Sequence, residues 1–329
     1  MTKIQRILLT KTPLGFLLQK SKVWQPPGFE SLPLYDVVRF FWSQVKTHGL
    51  SERAAAISYN FVMAIPPSLL FLLTLIPNLP FISRKTLKLE LHTVIYDIIP
   101  SKVYNSEVIK FVDSFIDNSR IGLLSFGLLL SLFFASNAIM GLMTAFNRKS
   151  YQGFETRKGL MERWIAVRVT IAIFGLLLGY LILLIMQGAL LDMIISSKIL
   201  RAIISYTRWG LIIGLLYLII AYIYKQVPAV KVKWKLRSPG ALLATTLSII
   251  ASVGFSLFVN NFGKFNALYG SIGTIMVIMA LIFINALALL IGFELNVSIK
   301  TLKAHAHLRQ QEEAAKKHHD EVLDDAPIK

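Results

Sequence analysis

Long apolar runs, separated by short polar and basic segments, set the pattern of this 329-residue chain. A run of about 18 residues or more is what a helix needs to cross a hydrocarbon core about 30 Å thick. Six runs are predicted to be spans, and they cover residues 54–77, 121–146, 165–190, 209–224, 241–262 and 272–297. The fourth is the shortest, and apolar residues between 194 and 204 predict a short interfacial helix before it. The pattern predicts an all-α polytopic membrane protein.

Two further segments are amphipathic. From residue 35 onward, one helical face collects Tyr35, Val38, Phe41, Trp42 and Val45. Such an aromatic-rich helix beside a span is typical of an interfacial elbow. Residues 84–118 carry two half-polar helical stripes separated by Pro100, and they predict a pair of amphipathic helices outside the hydrocarbon core.

These elements divide the chain into three parts. Residues 1–50 are predicted to be a basic cytoplasmic arm with the elbow helix, because the first 30 residues are basic and interrupted by prolines. Residues 51–298 hold the six spans and the outer amphipathic helices. Residues 299–329 form a polar, histidine-containing cytoplasmic tail, which we expect to fray.

Charge predicts the orientation. The chain is 55% hydrophobic and only 16% charged, with a net charge of +17. With the N-terminus inside, 24 Lys and Arg residues fall on the cytoplasmic side and 10 outside, as the positive-inside rule requires. Both termini are then cytoplasmic. The same basic clusters favour anionic lipid headgroups as partners, and they need no nucleic acid to explain them.

Ionisable residues inside spans are few, and a charge at the bilayer centre costs about 2.5–3.5 kcal/mol on insertion scales. Arg168 and Glu294 are predicted to lie at a similar depth near the cytoplasmic ends of spans three and six. Glu294 is expected to face the bundle interior, within reach of Arg168, Arg148 or Arg53. Whether such a pair is structural or belongs to a solute path stays open, and Arg168 could instead extend to the headgroups.

Prolines and amides add packing predictions. Pro66 and Pro67 should kink or locally unwind the first span, either as a static bend or as a hinge. The span amides, which are Asn137, Asn260, Asn285 and Asn296, are expected to form interhelical hydrogen bonds. Two Gly-xxx-Gly pairs, Gly175/Gly179 and Gly210/Gly214, predict close packing within the bundle, with a dimer seam as the alternative.

Enzyme chemistry finds little support in the sequence. Cysteine is absent, so the chain offers no disulfide, thiolate ligand or cysteine nucleophile. The six histidines have no metal-ligand spacing, and no HExxH, P-loop or nucleophile-elbow motif occurs. We therefore expect no metal, no cofactor and no catalytic residues.

Several blocks resemble one family. They are the run 52–61 (ERAAAISYNF), the run 136–148 (SNAIMGLMTAFNR), the segment from SPGA at 238–241 to NFG at 261–263, YGSIG at 269–273 and GFELN at 292–296. These blocks are similar to those of YihY/BrkB-type membrane proteins over roughly residues 35–300. The resemblance implies a six-span bacterial inner-membrane protein without supplying a reaction. Some members carry a ribonuclease name, whose chemistry would need water-facing acidic or histidine metal ligands.

The combined interpretation is movement of a lipid or other amphipathic solute, or support of envelope lipid homeostasis. The alternative is a membrane scaffold or partner subunit whose spans only pack, and a homo-oligomer is left open. The candidate functional or buried polar residues are Glu52, Arg53, Tyr59, Asn60, Asn137, Arg148, Arg168, Asn260, Tyr269, Glu294 and Asn296, with Pro66 and Pro67 as hinge candidates.

Overall fold

The computed structural model describes residues 13–47, 49–75, 121–147, 159–194, 198–230, 234–261 and 265–324, with isolated positions between 85 and 117 and at 155 and 157. All eight regular elements of this part are α-helices, which confirms the predicted all-α class. They are α1 (Pro13–Val23), α2 (Leu34–Thr47), α3 (Leu50–Leu75), α4 (Ile121–Phe146), α5 (Gly159–Ile194), α6 (Lys198–Gln226), α7 (Pro239–Asn261) and α8 (Phe265–Asp324).

Three stretches of the described part are long and apolar enough to cross a membrane, namely Ser125–Phe146, Pro239–Phe258 and Ile275–Ala315. They match predicted spans two, five and six. A shorter apolar helix, Gly210–Gln226, lies at the predicted fourth span. Helices α3 and α5 overlap the predicted first and third spans. Six spans with both termini inside stay a prediction.

The helices converge at one end of the bundle. Helix α3 packs chiefly on α4 and α7 on α8, while α8 also contacts α3 and α2. The N-terminus of α3 meets the C-terminus of α4 and α8, and the N-terminus of α7 meets α8 at Asn296. We call this the basic end, and define it by Arg53, Arg237 and Lys300. Because lipid tails are as apolar as the side chains themselves, packing and interhelical hydrogen bonds hold such a bundle together.

The amphipathic helix α2 packs on α8 through a residue outside the predicted apolar face. Val37, which the predicted face omitted, is fully buried and packs with Leu295 and Ile299 of α8. Val38 and Trp42, which the predicted face included, are 49% and 58% exposed. Contact with α8 therefore buries the Val37 side of α2, while Val38 and Trp42 stay exposed, and the interfacial elbow stays a prediction.

The C-terminal tail does not fray as expected. Helix α8 continues without interruption from Phe265 to Asp324. The physical reason is visible in the sequence: residues 293–324 contain neither Gly nor Pro and are rich in Ala, Leu, Glu, Lys and Gln, which are favourable helix formers. The expected boundary at residue 299 therefore marks a change of polarity within one helix.

Two further predictions about helices are corrected or refined. Helix α6 begins at Lys198, so the predicted short interfacial helix and the fourth span form one helix. Helix α3 runs continuously through Pro66 and Pro67, so local unwinding is absent and a hinge stays a prediction.

The outer segment, residues 84–118, is described only in part. The described positions are helical, and Lys88 Nζ lies 2.8 Å from Asp117 Oδ2. His92 Nε2 lies 2.9 Å from Asp113 Oδ1. The two predicted stripes therefore meet through polar side chains, while the rest of the segment lies outside the described residues.

Candidate functional site

The central polar contact of the basic end joins Arg53 of α3 to Glu294 of α8. Glu294 is completely buried. The Arg53 side chain is 19% exposed, and its Nη1 donates a hydrogen bond to Glu294 Oε1 at 2.7 Å. The prediction that Glu294 faces the interior near a basic partner is confirmed, with Arg53 as that partner.

The same guanidinium also holds the end of α4. Arg53 Nε and Nη2 both donate to the carbonyl oxygen of Ala145, at 2.9 and 2.5 Å. The last carbonyls of a helix lack intrahelical partners, and they carry the negative end of the helix dipole. A planar guanidinium with several donors suits such a divided contact. Arg53 therefore links three helices through one side chain.

An aromatic layer covers this link. The rings of Phe146 and Phe293 stack with their centroids 4.1 Å apart. In the sequence, Phe146 follows Ala145 and Phe293 precedes Glu294, the two residues that accept hydrogen bonds from Arg53. Tyr224 packs edge-on against Phe146, and its hydroxyl donates to the Leu289 carbonyl at 2.5 Å. Hydrogen bonds strengthen where water is excluded, and a buried polar group without a partner is then costly. Behind this aromatic layer, loss of a partner of Arg53 should therefore lower the stability of the protein.

Helices α7 and α8 cross closely just beside Glu294. A Cβ atom added at Gly240 would lie 2.1 Å from the Gly292 carbonyl oxygen, and one added at Gly292 would lie 2.3 Å from the Gly240 carbonyl oxygen. Only glycine fits on either side of this crossing. Asn296, which is 4% exposed, accepts from Gly240 N at 2.8 Å and donates to Ser238 Oγ at 3.1 Å. Its predicted interhelical role is confirmed, and it satisfies an amide at the start of α7.

The remaining described amides also form contacts. Asn285 donates to Ser252 Oγ of α7 at 3.2 Å, as predicted. Asn137 accepts a hydrogen bond from Nη1 of Arg163 on α5. The guanidinium of Arg163 also lies over the Phe133 ring, 4.7 Å from its centroid. Sequence analysis counted Arg163 only as a basic charge. Arg163 lies about one turn after the start of α5, near the amide of Asn137 on the neighbouring predicted span. This position could have predicted the hydrogen bond between them.

Other candidates are placed differently from expectation. Of the three arginines predicted as possible partners of Glu294, Arg53 of α3 makes the contact, and Arg168 has an exposed side chain. Glu52 is exposed and Tyr59 is 61% exposed. Asn60 donates to the Ala56 carbonyl of its own helix at 2.9 Å, and its amide lies 2.7 Å from where a Cβ of Gly141 would be.

Some candidates cannot be placed. Arg148 lies outside the described residues, as do the side chains of Asn260 and Tyr269. The predicted close packing at Gly175, Gly179, Gly210 and Gly214 is not found in the described bundle, where no atom of another element lies within 4 Å of an added Cβ, and the dimer seam stays a prediction. The close crossing uses Gly240 and Gly292 instead.

Comparison with known proteins gives a consistent family match. A family model described as virulence factor BrkB matches residues 41–318. The ribonuclease-like protein YfkH of Bacillus subtilis is 29% identical over 80% of this chain and 94% of its own length. A UPF0761 membrane protein of Tolumonas auensis is 26% identical over 92% of this chain and 97% of its own length. No solved structure matches.

Proposed function

Because the chain belongs to the virulence factor BrkB family of membrane proteins, we propose that it moves a lipid or other amphipathic solute across the bacterial inner membrane. Such movement would support the lipid homeostasis of the envelope. The observation that carries the proposal is the buried Arg53–Glu294 pair at the junction of α3, α4 and α8. The proposal includes six spans with both termini in the cytoplasm and involves no enzymatic step.

A buried ion pair needs a reason other than stability. Removing two charges from water costs several kcal/mol per ion, and an apolar replacement of equal volume is often neutral or stabilising. Ionisable groups inside membrane bundles commonly mark solute pathways. The phosphate of a lipid can compete with the Glu294 carboxylate for a guanidinium, because both are bidentate acceptors for arginine. Exchange of these partners would release α8 from α3.

Helix α3 supplies the means of movement in this proposal. Pro66 and Pro67 lie inside α3 and remove two backbone donors from its hydrogen-bond ladder. Bending there would move the Arg53 end of α3 relative to α4 and α8. The Arg53–Glu294 contact then acts as the closed state of the basic end, and opening separates the three helices.

One observation favours the scaffold alternative. Two of the three described Arg53 hydrogen bonds go to the Ala145 carbonyl rather than to Glu294. A side chain with a purely structural role would bind the end of a neighbouring helix in this manner. In that case the protein would organise partners in the membrane without moving a solute.

Reconstitution separates the two functions. Purified full-length protein is placed in liposomes that contain a headgroup-labelled phosphatidylglycerol, and a membrane-impermeant reductant bleaches the outer leaflet. Lipid movement predicts bleaching well beyond the outer-leaflet share seen in protein-free liposomes. Glu294→Gln should change that rate while the protein stays folded. Ser252→Ala, which breaks the uncharged interhelical link to Asn285, is the matched control. Bleaching equal to protein-free liposomes would favour the scaffold.

A further inference from the structure

A second feature of the basic end is a cavity of about 190 Å³ between the N-terminal arm and the starts of α7 and the polar part of α8. Three cationic side chains, Lys235, Arg237 and Lys300, line it. Glu30 contributes the single carboxylate of the lining. The cavity is thus a positively charged hollow with room for a phosphate group.

Glu30 reaches this hollow from the arm. Its carboxylate pairs with Lys300 and lies 3.0 Å from Lys303 Nζ. The Glu30 side chain is 25% exposed and each lysine is 43% exposed, so water and solutes can reach the pair. Burial raises the pKa of Glu30, but the hydrogen bonds from Lys300 and Lys303 outweigh it and lower the pKa overall. The carboxylate therefore occupies part of an accessible cationic site.

The backbone that delivers Glu30 is strained. Glu30 and Ser31 have φ values of +51° and +66°, a left-handed conformation that non-glycine residues rarely adopt. Gly28, at φ +88°, lets the arm pass close to Pro239, since an added Cβ would lie 3.0 Å from the Pro239 ring. Contacts around this turn must offset the strain and hold the Glu30 side chain at the cavity.

The surroundings of the cavity are amphipathic. Leu236, between two of the lining cations, is 40% exposed. Leu242 lies less than one turn after Pro239 and is 63% exposed, within a stretch apolar enough to span a membrane. A ligand that places a phosphate in the cavity could lay an acyl chain along this face, which a free inorganic anion cannot use.

We propose that this cavity binds the phosphate of an anionic membrane phospholipid, and that Glu30 is an intramolecular competitor that fills part of the site when no lipid is bound. The lipid phosphate replaces the carboxylate on Lys300, while Lys235 and Arg237 supply further charge. The site is distinct from the Arg53–Glu294 link, and the proposal holds whether the protein moves lipid or only packs.

Lipid titration of the full-length protein tests the site. The protein in a neutral detergent is titrated with dioctanoyl phosphatidylglycerol or dioctanoyl phosphatidylcholine, and native mass spectrometry measures the lipid-bound fraction. Glu30→Gln should tighten phosphatidylglycerol binding about two- to tenfold, because it removes exposed ion pairs worth up to about one tenfold step together. Lys235→Gln with Arg237→Gln should weaken binding.

Controls make each outcome decisive. Lys20→Gln removes an exposed basic charge from α1 without touching the cavity lining, and should leave binding unchanged. The proposal is overturned if Glu30→Gln behaves like Lys20→Gln, or if phosphatidylcholine binds as well as phosphatidylglycerol. Displacement of the lipid by an equal concentration of inorganic phosphate would also overturn it, by showing a simple anion site.

Discussion

Removal of Arg53 from the Arg53–Glu294 pair should cost more stability than neutralisation of Glu294. Arg53→Ala would leave a completely buried carboxylate on Glu294 and remove the Arg53 donors from the Ala145 carbonyl. Breaking a buried pair in this way costs about 3–5 kcal/mol. Glu294→Gln keeps an acceptor for Arg53 but loses its charge, and hydrogen bonds to charged groups are worth about 1.5–3 kcal/mol against about 0.5–1.5 for neutral ones. We expect a cost of about 1–2 kcal/mol for that change.

A double-mutant cycle isolates the pairwise energy. The variants Arg53→Gln, Glu294→Gln and the double variant are unfolded in mixed micelles, and circular dichroism follows the loss of helix. Close charge pairs show coupling of about 1.5 kcal/mol or more. The matched control is the uncharged Asn285–Ser252 pair, for which about 0.6 kcal/mol is typical inside membranes. Equal coupling in the two cycles would refute the assignment of Arg53–Glu294 as a strong buried contact.

Charge reversal separates the contribution of the Arg53–Glu294 pair from that of the Arg53–Ala145 hydrogen bonds. The double variant Arg53→Glu with Glu294→Arg restores an ion pair between α3 and α8. It also places a carboxylate against the Ala145 carbonyl, where Arg53 donates two hydrogen bonds in the native protein. Recovery of folded yield should therefore be partial. Full recovery would mean that the Ala145 contact contributes little.

Three other outcomes are expected. Gly240→Ala should abolish folded yield in detergent size-exclusion chromatography, because its Cβ would meet a carbonyl oxygen at 2.1 Å, whereas Gly175→Ala, with nothing within 4 Å in the described part, should be neutral; similar yields would contradict the close crossing. Reporter fusions after residues 155 and 230 should report cytoplasm, and an external signal at 155 would defeat the predicted orientation. The pKa of Glu30 is lowered from its usual value of 4.5. The contact of Glu30 with the lysines therefore stabilises the arm at pH values above 4.5, and this stabilisation is lost as the pH falls through the lowered pKa. Limited proteolysis of the arm should therefore increase in acid, and Glu30→Gln should remove that dependence.

The hydrophobic pattern alone determined the all-α membrane class of the protein and the need of its buried polar groups for partners. Long apolar runs without β-alternation leave a membrane helix as the structure that satisfies the backbone. A lone carboxylate near the end of such a run needs a cation, so the burial of Glu294 beside an arginine followed from sequence. The amides Asn137, Asn285 and Asn296 were expected to bond between helices on the same grounds.

Tertiary structure decided which groups meet. Sequence fixes the height of a residue along a helix, but its neighbours depend on helix rotation and on which helices are adjacent. That is why Arg53 rather than Arg168 reaches Glu294, and why Gly240 and Gly292 rather than Gly175 form the close crossing. The Glu30 contact joins residues 270 positions apart. Such a contact carries no local periodicity, so it exists only once the arm, α7 and α8 are packed together.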